Sequence, residues 1–204
     1  MEQIERLPYF NKVTLGVALG KSGQNLDYWI KTRLKSGEII ALKKGLFVSK
    51  NYLLINSGNN DFYRYMANII RFPSYLSLEY VLSINNLIPE AIYTYTSITT
   101  KTSRNYANKI GNFSYRNIKK ELFTGFKEIE IFDKKVYIAT KAKALFDYLY
   151  LKTYRNRTML KYDIEEGLRI DWDEFNRNER QEFIDYVKLS KSTKMKRALK
   201  YLKW

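Results

Sequence analysis

The side chains that could carry out bond-making chemistry are few in kind. The chain has no His and no Cys among its 204 residues, which removes Ser-His-Asp and Cys-His nucleophilic sites and zinc centres built on imidazole or thiolate. It also removes any disulfide framework, as fits a reducing compartment. Catalysis would have to rest on carboxylates, Lys, Tyr or Ser with a hard metal ion. One such constellation is Asp133-x-Lys135, with Glu128 and Glu130 just upstream. Carboxylates that hold Mg²⁺ and a Lys that stabilises charge are the parts of a metal-dependent nuclease. Asp and Lys are also ordinary residues of a hairpin turn, no Pro-Asp precedes them, and Glu128 and Glu130 share one strand face as a solvated edge would. The residues read as a turn. No catalytic residue, cofactor or metal site is assigned.

Recognition of a polyanion is the better supported chemistry. Lys and Arg total 36 against 21 Asp and Glu, a formal charge of +15, which favours nucleic acid or an acidic partner. Ser22, Gln24, Asn25, Tyr28, Lys31 and Lys35 line one side of a short segment, and Lys43 and Lys44 follow it closely. Asn and Gln suit adenine edges, while Lys and Ser suit phosphates or guanine. A second polar, basic block, residues 99–104, offers hydroxyls with Lys101 and Arg104, which could also touch phosphate. No Gly-rich phosphate loop accompanies it, so nucleotide binding is not indicated. Tyr93, Tyr95, Tyr106 and Tyr115 could stack on bases but fit sheet packing better.

These residues need elements to position them. Asn11 is a candidate N-cap for a helix over residues 12–19, with Val13, Leu15 and Leu19 expected to share its buried side. A breaker-rich turn, residues 20–23, leads to a helix over residues 24–35. There Leu26, Trp29, Ile30 and Leu34 form the apolar stripe, and Gly37 is its C-terminal stop. Residues 38–42 and 46–48 read as short strands around a basic tip, Lys43-Lys44-Gly45. Helix, turn, helix and hairpin in that order predict a winged helix-turn-helix over residues 1–56, its second helix set for a major groove and its wing Lys residues for phosphates. Ser57-Gly58-Asn59-Asn60 marks the boundary.

Beyond it, residues 57–204 predict a mixed α/β domain with a small sheet and a helical end over residues 161–204. A helix is expected from Asp61 to Ile70 and another over residues 76–86, with Pro73-Ser74-Tyr75 as a break between them. Strands are expected at residues 92–96, 113–116, 126–132 and 136–139, with Asp133-Lys134-Lys135 as a hairpin turn. A helix follows at residues 143–151. Residues 161–187 hold nine acidic side chains against four basic, whereas residues 188–204 hold seven basic and none acidic. The latter stretch carries a helical stripe of Met195, Ala198, Leu199 and Leu202 flanked by Lys194, Lys196, Arg197, Lys200 and Lys203. Its charge suits either a wet face with a dipole-stabilising end or a second polyanion contact.

Three separated blocks carry a family resemblance. PSYLSLEYVLSINNLIPE (residues 73–90) followed by TSITTKTSRNY (residues 96–106) resembles the central segment of AbiEi-like antitoxins of type IV toxin–antitoxin, or abortive infection, systems. ATKAKALFDYLYL (residues 139–151) is similar to that family's later helix, and GEIIALKKGLFV (residues 37–48) to its basic hairpin. The matches fall in the expected order over most of residues 10–152. Where the family often has Pro-Glu before Lys-Ala-Leu, this chain has Lys141-Ala142, so any role of that Glu is not carried over. The resemblance implies a winged-helix autorepressor of its own operon and a second domain that counteracts a nucleotidyltransferase-like toxin encoded beside it. It does not imply a stable complex between the two.

The sequence therefore predicts an α+β, cytoplasmic, non-enzymatic protein without cofactors. The expected partners are operator DNA and, functionally, the toxin, with no membrane association and a monomeric or weakly dimeric state. Ser22, Gln24, Asn25, Tyr28, Lys31, Lys35, Lys43 and Lys44 are the expected DNA contacts. A separate basic face of Lys101, Arg104, Lys141 and Lys143 is expected to serve antitoxicity. The alternatives are a stand-alone winged-helix regulator and a metal-dependent nuclease.

Overall fold

The computed structural model describes residues 2–202 and residue 204 and is an α+β structure. In chain order it begins with α1 (Glu2–Glu5), β1 (Phe10–Asn11), α2 (Lys12–Leu19) and α3 (Gly23–Ser36). The hairpin β2 (Ile39–Lys43) and β3 (Leu46–Ser49) comes next, then α4 (Lys50–Ile55) and α5 (Asn60–Ile70). Next are β4 (Ser74–Leu76), α6 (Leu78–Ile84), β5 (Thr94–Thr99), β6 (Arg104–Asn108), β7 (Gly111–Asn117), β8 (Phe126–Ile131) and β9 (Lys134–Ala139). Helices α7 (Lys141–Leu151), α8 (Arg157–Tyr162), α9 (Arg177–Ser190) and α10 (Thr193–Leu202) complete the chain. Among the described residues, no helix is long and apolar enough to cross a membrane.

Local signals place the first helices. Asn11 caps α2, its side chain accepting from the Thr14 N–H at 2.9 Å. Gly37 ends α3 in the left-handed region, φ 77°, where a residue without a Cβ stops a helix most cheaply. The expected apolar side of α2 is corrected, because Val13 is 75% exposed while Leu15 is fully buried. Two positions apart on a helix means about 200° of rotation, so the two cannot face the same way.

The hairpin organises the packing. β3 pairs with β1 and β2, giving the order β1-β3-β2. Alternation sends Ile39 and Phe47 into a small cluster with Phe10, Leu15, Leu26 and Ile30. The opposite hairpin face, Ile40, Leu42, Leu46 and Val48, enters the main core with Phe62, Met66 and Tyr115. A period of two thus gives one hairpin to two cores. The breaker cluster forms the loop between α4 and α5, with Asn60 opening α5, but the packing boundary runs through the hairpin itself.

The large sheet has the order β6-β7-β5-β4-β9-β8. β4 is central, antiparallel to β5 and parallel to β9. This corrects the expected break at Pro73-Ser74-Tyr75 and starts the following helix at Leu78 rather than residue 76. β6, which begins at the last residue of the polar, basic block, is an edge strand that the sequence reading did not include. The β8–β9 turn consists of Phe132 and Asp133, both at positive φ (54° and 55°), with Lys134 and Lys135 already paired in β9. Two such residues closing a hairpin match its right-handed twist. α7 packs behind the sheet with α6 and α9, nearly surrounded by apolar neighbours.

Candidate nucleic-acid interface

The outer face of α3 is a clean stripe. Gln24, Tyr28, Lys31 and Lys35 fall within about 60° of one another on the helix and Asn25 flanks them. All five, with Ser22 just before, are exposed. Tyr28, a large aromatic, is 73% exposed. The opposite face is anchored by Leu26 and Ile30. Ion pairs join α3 to its neighbours: Asp27 meets Lys12 at 2.5 Å, and Arg33 meets Glu38. The guanidinium and the Ser36 hydroxyl keep the Glu38 carboxyl below the usual carboxylate range. The polar stripe is therefore presented by a helix packed from behind through Leu26 and Ile30.

The hairpin tip splits the two expected Lys residues. Lys44 is exposed beside Gly45. Lys43 turns inward: its ammonium donates to the Ile70 carbonyl at 2.6 Å, and burial lowers its pKa, with Lys101 and Arg71 nearby adding to the fall. The expectation of two free wing cations is thus corrected to one, with Lys43 spent on closing the end of α5.

The four residues expected to form a second basic face do not share one. Arg104 opens β6 at one edge of the sheet, and Lys141 follows β9 near the other. β6 and β9 run in the same direction, so the two residues also sit at opposite strand ends. Lys141 is half-buried, donating to the Glu174 carbonyl at 3.1 Å beside Glu179 at 3.6 Å. Lys143 is 0% exposed, and its Nζ lies 2.5 Å from the equally buried Asp147 carboxylate. A fully desolvated ammonium offers no surface to a partner. Lys101 and Arg104 remain exposed, and they adjoin the hairpin rather than α7.

That junction was not visible in the sequence. Asn108 of β6 donates to the Leu42 carbonyl of β2 at 2.8 Å, pinning the sheet edge to the hairpin. Arg71, at the end of α5, donates to the Thr102 hydroxyl at 2.9 Å and to the Tyr106 hydroxyl at 3.4 Å. Arg71 is a functional candidate missed earlier, since one Arg after an apolar helix gives no periodic cue. In the other direction, Tyr115 is buried in the main core, as sheet packing predicts.

The acidic constellation forms no pocket for a metal. Glu128 is paired with Lys135 at 3.0 Å, Asp133 occupies the hairpin turn, and no group of three ligating side chains gathers among the described residues. On the C-terminal helix, Lys194 donates to the Tyr150 and Lys152 carbonyls at 2.6 and 2.7 Å, capping the end of α7. Lys196 and Lys200 are exposed, and Lys203 lies outside the described residues. No protein-family model matches the chain, and no curated protein matches it.

Proposed function

We propose that the chain is a winged-helix DNA-binding repressor that also acts as an antitoxin against a nucleotidyltransferase-like toxin. The observation that carries the DNA half is the exposed stripe of Gln24, Asn25, Tyr28, Lys31 and Lys35 on a firmly anchored helix, beside exposed Lys44. A helix about 10–12 Å across fits a major groove about 12 Å wide, so amide and ammonium groups on that stripe reach base edges while Lys44 meets backbone. The order α2, turn, α3, hairpin supports a winged helix-turn-helix. The antitoxin half rests on the blocks at residues 73–90, 96–106 and 139–151 and on their AbiEi-like order.

The test pairs a binding assay with a growth assay on the full-length protein. Anisotropy titrations should show tighter binding to the promoter-proximal duplex than to random duplex. Asn25→Ala with Tyr28→Ala should lose that preference, whereas Lys44→Gln should weaken both duplexes alike and lower the salt slope by about 0.9. Expressed from an unrelated promoter, wild type should rescue cells carrying the neighbouring toxin. Equal affinity for the two duplexes would reject sequence-specific readout. Repression without rescue would leave a stand-alone regulator.

A further inference from the structure

The hairpin–sheet junction gathers cations that nothing in the protein neutralises. Arg71, Arg104 and Lys43 converge on one phenol, Tyr106, and Lys101 lies beside Lys43; the four cations come from the hairpin, the end of α5 and the segment that leads into β6. None of the four makes an ion pair among the described residues. Arg71 spends one guanidinium edge on Thr102 and Tyr106, yet its Nε is buried without a partner. Burial works to raise the Tyr106 pKa, but hydrogen bonds from Arg104 and Arg71 and the charge of Lys43 outweigh it and hold the phenol below its usual value. The acceptors these cations meet are neutral: the Tyr106 hydroxyl for Arg71 and Arg104, the Thr102 hydroxyl for Arg71 and the Ile70 carbonyl for Lys43. Like charges drawn together on neutral acceptors alone form a site for an anion supplied from outside.

We infer that this junction contacts the backbone phosphates of bound duplex DNA, so that the footprint extends from α3 and the hairpin tip onto the edge strand β6. The inference rests on the DNA-binding reading and adds a second element to it. Phosphate suits the site because guanidinium and ammonium groups bind its oxygens directly, and the Thr102 and Ser103 hydroxyls stand beside them. Both hydroxyl residues are exposed, as are Lys101 and Arg104. DNA is favoured over an acidic protein by continuity. Lys44, at the tip, leads directly to Lys43 in this cluster, and the Asn108–Leu42 hydrogen bond fixes β6 against the same hairpin. A duplex resting on the tip Lys therefore has its neighbouring phosphates within reach of β6.

The test measures salt-dependent binding of full-length protein to operator and random duplexes, from about 50 to 200 mM salt. Lys101→Gln with Arg104→Gln removes two exposed charges, and Lys196→Gln with Lys200→Gln on α10 is the charge-matched control. The junction pair should lower the slope of log affinity against log salt by about 2 on both duplexes, about 0.9 per lost contact, and leave the operator-to-random ratio unchanged. The control pair should keep the wild-type slope. If wild type and Lys44→Gln behave as proposed while the junction pair matches the control, the junction does not touch DNA and only this inference fails. If wild type binds no duplex, both readings fail. A junction pair that keeps normal DNA binding but loses rescue assigns the cluster to a protein partner, and this inference is overturned.

Discussion

Replacing Lys143 with Met should expose the energetic logic of the buried centre behind the sheet. Lys143 and Asp147 are four residues apart on α7, both 0% exposed, with Nζ 2.5 Å from Oδ1. The other carboxylate oxygen accepts from the Tyr75 hydroxyl at 2.9 Å and the Ser77 hydroxyl at 2.8 Å. The ammonium sits 4.8 Å from the Phe146 ring centroid and 5.2 Å from that of Tyr186. Burial lowers the Lys143 pKa and raises that of Asp147, and in each the partner's charge opposes the shift. Lys143→Met fills a similar volume but leaves a carboxylate held by two neutral donors, and breaking a buried pair in this way costs about 3–5 kcal/mol. For a chain of this size that is a fall in melting temperature of about 6–20 °C. The pH dependence has a definite sign. Without the ammonium the folded-state pKa of Asp147 rises further above its unfolded value, so stability is greatest when Asp147 is protonated and declines as pH rises through the folded pKa. The deficit should therefore shrink between about pH 7.5 and about pH 5. Lys143→Met with Asp147→Asn removes the charge, keeps an acceptor for both hydroxyls, and should recover most of the loss with no such pH dependence. Calorimetric melts of the three proteins at both pH values decide the matter. A Lys143→Met protein that melts within about 2 °C of wild type, or with a deficit independent of pH, would refute the argument.

Gly125→Ala should cost about 2–5 kcal/mol by urea denaturation: its Cβ would lie 2.1 Å from the Tyr186 hydroxyl and 2.9 Å from Lys143 Cδ, at φ +76°. Gly37→Ala, at φ +77° with open space around it, should cost only about 1–2 kcal/mol, and equal losses would show that Tyr186 yields freely. Asp133→Ala should destabilise by about 1 kcal/mol and Asp133→Gly should not, since Asp133 is left-handed at φ 55°. Identical melts for the two Asp133 variants would contradict the turn geometry.

What the sequence revealed follows from how local each signal is. Asn11, Gly37 and the Leu26–Ile30 stripe act within a few residues, so α2 and α3 and their capping could be read directly. β4 could not, because three residues after a Pro have no period, and their strand character comes from pairing with β5 and β9, both more than fifteen residues away in the chain. β6, with the sequence Arg-Asn-Tyr-Ala-Asn, has little β propensity, and its strand form depends on β7 alone. The exposed face of α3 was legible because exposure follows from helical period.

The basic residues divide on the same ground. A charge on a one-sided helix is solvated by default, and Lys31 and Lys35 are. Lys143 belongs to a helix with apolar residues on nearly every side, and such a helix is buried. Any charge within it then requires a partner, and Asp147 stands at the i, i+4 position to supply one. Those two facts together were available in the run Lys-Ala-Leu-Phe-Asp and point to a buried pair rather than a surface. Lys43 is different, because nothing local distinguishes it from Lys44. Its inward turn depends on the Ile70 carbonyl, twenty-seven residues away. That contact joins the hairpin to the end of α5, and the Ile40–Leu42 and Leu46–Val48 face extends the union through the main core. A hairpin held in this way cannot shift without disturbing the sheet behind it. The Lys43–Ile70 and Asn108–Leu42 hydrogen bonds thus tie the hairpin to the end of α5 and to the edge strand β6.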